Sequence, residues 1–471
     1  MNYHLVVLVH GLWGSADHME YLRKAILANN PPTESSTVVV LVANSFALYY
    51  TYDGIDVCGA RVASEVIDQI ALLEKPASHK VTSISVVGYS LGGLIARYAI
   101  GLLHSYRLFD TVNPHSFTTF ASPHVGVLAL GRGPVAFLYN AIAPYVLSYT
   151  SRQLCLVDRS AVHGGVPLLE ALADPSLTFF QGLARFNKRV AYGNIVNDHR
   201  TEWYTTAMTV TDPYAKNVQN IAGPYVLGYE PVVINTAKGV PLEVLTNPST
   251  DLVNDPTHTL GFVRRLGGRV VRWTVALVKV TVVVPVWFVA FVANAAFQTV
   301  VSAARKRQFL KSSTYAHFGH LAVVLPDDLT IPQKLHEEAG SALDSVMDAV
   351  KHEHGETSGV ALRRQPTHNE QSLVRYLQQF TPACAPREGS TSQDQENQVD
   401  PPRGTPVSEL NLRPVHRRII GNLNLLAWEK FPVHIAGAAH THAAIIVRYA
   451  SPEFEEGKVV VEHWIRQVFV D

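Results

Sequence analysis

Residues 86–93 read Val-Val-Gly-Tyr-Ser-Leu-Gly-Gly. A β-branched apolar run, 81–87, leads into this stretch. Leu94, Ile95, Tyr98, Ala99, Leu102 and Leu103 follow it at helical spacing. A strand must therefore turn sharply into a helix. Glycines on both sides of Ser90 let the backbone pass close to itself there, and the turn holds the hydroxyl above the sheet edge at a helix N-terminus. Gly-x-Ser-x-Gly alone is a weak signal. The strand before, the amphipathic helix after and Gly93 for close packing make it specific, and Ser90 becomes the candidate nucleophile.

Outward from this turn, the runs 5–9, 37–43 and 117–121 are also short, β-branched and apolar throughout, as parallel strands buried on both faces should be. Val62, Val66, Ile70 and Leu73 recur at helical spacing between two of them, and Pro76 punctuates the end. This βαβ alternation predicts an α/β fold with a doubly wound, mostly parallel sheet. The first strand runs into His10-Gly11-Leu12-Trp13-Gly14. Cleavage of an ester needs N–H donors aimed at the oxyanion, roughly 3–4 kcal/mol for a single one. The backbone N–H groups of Leu12 and Leu91 are the candidates.

A serine nucleophile on such a sheet is followed in sequence by an acid and then a histidine. Asp198 lies just past the strand-like run Val190–Val196, where a strand's C-terminal loop should carry it; the rivals Asp158 and Asp212 lack so clear a preceding strand. Ala439-His440-Thr441-His442-Ala443 follows a late strand-like run, Pro432–Ile435. Two histidines one residue apart usually point different ways, so one of them can be the base. His442 is favoured, His440 is the alternative, and His434 and His463 read as structural.

Taken together these phrases resemble the lipase-like serine esterase family of eukaryotic α/β-hydrolases, which includes fungal lipases and phospholipases of lipid droplets. The matching pieces are HLVVLVHGLWG (4–14), TYDGIDVCGARV (51–62), VVGYSLGGLIARYAIG (86–101) and FASPHVGV (120–127). SRQLCLVD (151–158), RVAYGNIVNDHRTEWYTTAM (189–208), NLNLLAWEKFPVHI (422–435) and HTHAAIIVR (440–448) also match. The resemblance covers about residues 3–210 and 415–450. It implies an α/β-hydrolase with Ser90 as nucleophile, Asp198 as acid and His442, before the Ala-Ala-Ile-Ile phrase, as base. After Asp198 the family shows a Val-Pro-aromatic phrase, whereas this chain reads His199-Arg200-Thr201-Glu202-Trp203.

Composition narrows the partners. In 471 residues, Lys+Arg and Asp+Glu are both 39, a balance without the basic surplus that nucleic acid demands. Charged residues are 17%, against about 25% in an average soluble domain, and 47% are hydrophobic, which leans towards lipid contact. Cys58, Cys155 and Cys384 stand at unrelated spacings, neither a disulfide framework nor a metal knuckle. The chain opens almost at once on a strand-like run with no basic region and cleavage site before it. The expected location is intracellular, on the cytosolic face of a membrane or lipid droplet.

The expected organisation is a hydrolase core over 1–215, with a cap at about 124–188. An apolar anchor insertion follows over 270–306, a helical segment over 307–381 and a polar, Pro-rich disordered loop over 382–414. The core is completed by 415–471. Val280–Ala304 carries no charge, with Arg264, Arg265, Arg269, Arg272 and Lys279 before it and Arg305, Lys306, Arg307 and Lys311 after. A single bilayer crossing would put Ser90 and His442 on opposite sides. The basic flanks would hold both ends in the cytosol, and the run is too short for two crossings of about 20 residues each. A shallow hairpin bending near Pro285 or Asn294 is expected, with a buried strand and helix of the cap as the other reading. The whole predicts a serine hydrolase of lipid esters needing no metal or organic cofactor. An acyltransferase with the same triad, or a non-catalytic lipid-surface scaffold, are the alternatives.

Overall fold

The first strand shows why the sheet forms. In β1 (Asn2–Val9) Leu5, Val7 and Val9 enter one apolar cluster while Val6 and Leu8 enter another, all fully buried. Alternate side chains thus bury both faces, and the run needs helices on each side. This is a computed structural model, which describes residues 1–131, 133–145, 148–159, 165–214, 221–222, 224–236, 243–244, 284–311 and 409–469. The other strands are β2 (Ser36–Val42), β3 (Lys80–Tyr89), β4 (Asn113–Phe120), β5 (Lys188–Asn194) and β6 (Glu429–Val433). They pair in the order β2-β1-β3-β4-β5-β6, every neighbour parallel. This parallel six-stranded sheet with flanking helices is the doubly wound α/β architecture expected from the sequence. Strand β2 is only half-buried, since it is the sheet's edge and has a single neighbour.

The register aligns the carboxyl ends. Val9 lies beside Gly88, Tyr89 beside Phe120, Phe120 beside Tyr192 and Asn194 beside Val433. The chain leaves β1 for the edge strand β2 and returns on the other side as β3. The carboxyl ends of β1 and β3 therefore flank a topological switch point, the crevice where open parallel sheets bind ligands.

Helices α1 (Glu20–Asn29), α2 (Ile55–Leu73) and α3 (Leu91–Ser105) follow the first three strands. Between β4 and β5 come α4 (Pro134–Ile142), α5 (Ser148–Leu154), α6 (Leu168–Ala171) and α7 (Thr178–Ala184). The stretch expected to form a single cap divides in two. Phe179 of α7 packs against Gly101 and Tyr98 of α3, so α7 joins the helical layer on the sheet. Helix α4, in contrast, exposes Phe137, Leu138 and, just beyond it, Tyr145. After β5 come α8 (Trp203–Thr206), α9 (Val284–Leu310), α10 (Pro414–Leu423), α11 (Thr441–Ala444) and α12 (Glu455–His463), which ends in a wide helical turn, Trp464–Phe469.

Of the expected anchor insertion, residues 270–283 lie outside the described residues, as do 312–408 of the helical segment and loop. The loop's last residues are ordered: Glu409 bridges Thr211 and Leu410 N–H donates to Val210 O. Residues 284–310 form one helix, so Asn294 is no hairpin bend; it sits mid-helix and buried. Asn294, Gln298, Ser302 and Lys306, four residues apart in turn, are all buried, while Phe297, Val300 and Val301 are only half-buried. That polar stripe is buried together with Ala303 and Phe309, whereas an ordinary surface helix buries an apolar face alone. Among the described residues no helix is long and apolar enough to cross a membrane.

Candidate functional site

Ser90 sits between β3 and α3 at φ 54° and ψ −128°, a conformation that L side chains rarely adopt. Two bonds hold it there: its N–H donates to Phe120 O at 2.9 Å, and Ser122 Oγ donates to its carbonyl at 2.8 Å. Gly92 must lack a side chain, because a Cβ would run into the backbone carbonyls of Val9 and His10. Gly11 is equally constrained, since its Cβ would lie 2.8 Å from Ser90 Cβ and 3.3 Å from Ser90 Oγ. The loop after β1 is thus pressed against the serine. Leu12 follows as a half-buried residue on that loop, and Leu91 opens α3.

The Ser90 hydroxyl donates to His442 Nε2 at 2.9 Å. Nδ1–H on the far side of the same ring donates to Asp198 Oδ2 at 3.0 Å. Asp198 is held on every side. Asn194 Nδ2 and Thr201 Oγ1 donate to its Oδ2 at 2.8 and 3.0 Å, and the backbone N–H groups of Arg200 and Thr201 donate to Oδ1 at 3.0 and 2.9 Å. Burial works to raise the pKa of this carboxyl. His442 and the converging donors outweigh it and hold the group well below the usual carboxylate range.

Residues 1–211 match the sequence pattern of the family described as "Putative serine esterase (DUF676)". The fission-yeast (Schizosaccharomyces pombe) protein "Putative lipase C4A8.10" is 30% identical over 214 residues, 45% of this chain and 26% of that one. "Putative lipase YDL109C" of Saccharomyces cerevisiae is 30% identical over 258 residues, 54% of this chain and 37% of that one. The chain therefore spans well under half the length of these relatives. Among solved structures, the peroxisomal alpha-beta-hydrolase Lpx1 of Saccharomyces cerevisiae is 13% identical, with a TM-score of 0.24, over 44% of this chain and 66% of that one.

The matched segment, 1–211, supplies Ser90 and Asp198, and His442 arrives from the far side of the long insertion. Helix α11 carries it, with Tyr89 OH donating to His442 O at 3.0 Å. His440 is exposed, its ring 6.4 Å from that of His199, and does not share this chain of bonds. Asp158 and Asp212 accept from Leu168 N–H and Tyr214 N–H, and burial raises each to about 6. His434 pairs with Tyr225 OH, and His463 with Tyr192 OH at 2.7 Å.

The departure at 199–203 has a local purpose: Arg200 and Thr201 deliver the donors to Asp198, and Trp203 then opens α8. Sequence reasoning missed Asn194, Thr201, Tyr89 and Ser122. All four lie inside the phrases quoted for the resemblance (86–101, 120–127 and 189–208), and that was their only signal. His10, also unassigned, is fully buried and stacked on Phe46, and its Nδ1–H donates to Gly11 O at 3.0 Å. Burial lowers its pKa to about 4. Among the described residues no group of His, Cys, Asp and Glu could hold a metal ion.

Proposed function

We propose that the chain is a serine hydrolase that cleaves carboxylic esters of lipids through an acyl-enzyme. One observation carries this reading: an unbroken line of hydrogen bonds runs from Ser90 Oγ through both nitrogens of His442 to Asp198. With Nδ1–H committed to the carboxylate, Nε2 is the bare acceptor that takes the Ser90 proton as Oγ attacks the acyl carbonyl. The N–H groups of Leu12 and Leu91 receive the oxyanion. His442 then returns its proton to the leaving alcohol. Water, deprotonated by the same nitrogen, attacks the acyl-enzyme and releases the fatty acid and free Ser90. A lipid acyl group as substrate is supported by the exposed Phe137, Leu138 and Tyr145 of the cap and by the uncharged run Val280–Ala304. The same features favour action at a lipid surface, and the basic residues that flank the run favour its cytosolic side.

The test is covalent labelling with a fluorophosphonate alongside a panel of p-nitrophenyl esters, phospholipids and acylglycerols. Wild-type protein should label and turn over long-chain esters. Ser90→Ala should lose the label and roughly a millionfold in kcat. Undiminished labelling of Ser90→Ala would defeat the assignment, and turnover only with an added alcohol acceptor would make the enzyme an acyltransferase.

A further inference from the structure

The phrase TYDGIDVCGARV takes no part in the line of bonds above, yet it holds the most heavily bonded buried carboxylate outside the site. Asp53 is fully buried. Its Oδ1 accepts from Ser302 Oγ at 2.7 Å and from Arg305 Nη2 at 2.8 Å, and its Oδ2 accepts from Arg61 Nη2 at 2.8 Å. Arg305 Nη2 also donates to Tyr49 O at 3.0 Å, and its guanidinium lies 4.8 Å from the centre of the Tyr50 ring. One turn further along the chain, Asp56 accepts from Lys306 Nζ at 3.1 Å and from Gln153 Nε2 at 2.9 Å. The C-terminal half of α9 is therefore clamped to the 48–53 turn and the start of α2 by buried charge.

The same turn grips the loop after β1. Trp13 N–H donates to Thr51 Oγ1 at 3.3 Å, Trp13 Nε1–H to Tyr52 OH at 2.9 Å, and Leu48 N–H to Gly14 O at 2.8 Å. Trp13 has φ 52°, a strained value for a bulky residue that persists only where surrounding bonds enforce it. It follows Leu12, whose N–H must point at the reacting carbonyl. The loop is held through Leu48, Thr51 and Tyr52 of the turn, and α9 through Tyr49, Tyr50 and Asp53.

We propose that Asp53 is a positioning residue, which transmits the docking of α9 through the 48–53 turn to the oxyanion loop at Leu12–Gly14. The inference rests on the esterase reading above. It makes the insertion a structural part of the active site: a signal that loosens or seats α9 changes the aim of the Leu12 N–H.

Three substitutions test it: Arg305→Gln from the helix side, Thr51→Val at the loop contact, and Thr51→Ser as the conservative rescue. Readouts are kcat and KM for p-nitrophenyl butyrate, affinity for a phenylboronic acid that adds to Ser90 as a tetrahedral anion, and the Trp13 indole N–H resonance, assigned with Trp13→Phe. A loop displaced by about 1 Å should lower kcat about a hundredfold and weaken boronate binding in parallel. KM should stay within about twofold, the indole resonance should move, and Thr51→Ser should restore all three.

Folded Arg305→Gln and Thr51→Val proteins with wild-type kcat and boronate affinity would overturn the proposal. So would a fall in activity that follows the folded fraction with the indole resonance unmoved. If Arg305→Gln does not fold, Ser302→Ala, which removes a helix-side bond but no charge, replaces it under the same criteria. If wild-type protein turns over no ester, the esterase reading fails by itself. The indole resonance in Arg305→Gln then decides whether α9 positions the loop.

Discussion

Asp198 makes its contribution through charge that stays in place. Because its native pKa lies below the ordinary carboxylate value, it is ionised at every practical assay pH. Its share of stability is present above the unfolded pKa of about 3.9 and is lost only as pH falls towards the native value. Activity should therefore show no acid limb due to Asp198 above pH 4. Asp198→Asn keeps the shape but offers an amide where Nδ1–H needs a carboxylate, which favours the wrong tautomer. The expected loss is on the order of ten-thousandfold in kcat with the melting temperature changed by a few degrees. A loss below tenfold, in protein that melts normally, would show that Asp198 does not orient His442. Ser90, Asp198 and His442 were legible because each follows an apolar run that reads as a strand. Asn194 and Thr201 were not, because a short polar side chain turned onto a neighbouring carboxylate leaves no period in the sequence.

At the scale of elements, His442, the base proposed above, depends on how α11 is seated. This helix is a single turn, too short to be stable alone, and it rests on α12 through Gly457. A Cβ at Gly457 would collide with the carbonyl of Ala444, the last residue of α11. Backbone cannot swing aside as a flexible side chain can. Gly457→Ala should cost about 1–3 kcal/mol of stability and lower kcat beyond the folded fraction, as His442 Nε2 moves off Ser90. Denaturant unfolding and active-site titration on the same sample measure the two effects, and unchanged values of both would refute this packing argument. Strands β1 to β5 were readable from their apolar runs, though the place of β2 at the edge was not, since pairing order has no local signature. Strand β6 (Glu429–Val433) shares only Pro432 and Val433 with the expected run Pro432–Ile435, because its first three residues, Glu-Lys-Phe, are not buried. The docking of helix α9 was hidden for a related reason. Hydropathy registers its uncharged length, whereas the polar side chains at 294, 298, 302 and 306 reveal their common face only when counted in steps of four.

For the whole molecule, burial of titratable groups sets how stability varies with pH. His10, His18, His416 and His463 are each lowered to about 4 and His124 well below 6.5, all chiefly by burial. The unfolded chain takes up protons at these sites as pH falls through 6.5, while the native chain stays neutral until about 4. Their contribution is complete above pH 6.5 and is lost on acidification. Asp158 and Asp212 run the other way. Burial raises them to about 6 from 3.8, so the native state keeps protons that the unfolded state releases, and this contribution fades as pH rises through that interval. Five of these sites oppose two, and near pH 5 the unfolded chain binds about three more protons at them than the native one. Each is worth about 1.4 kcal/mol per pH unit, so stability should fall by roughly 3–4 kcal/mol per unit between pH 6 and 4.5. Chemical denaturation at stepped pH measures that slope, and Asp158→Asn should steepen it by removing one opposing site. A flat profile over this range would mean that the histidines are solvated in the native protein, and with them the fully buried His10 on which the oxyanion loop leans.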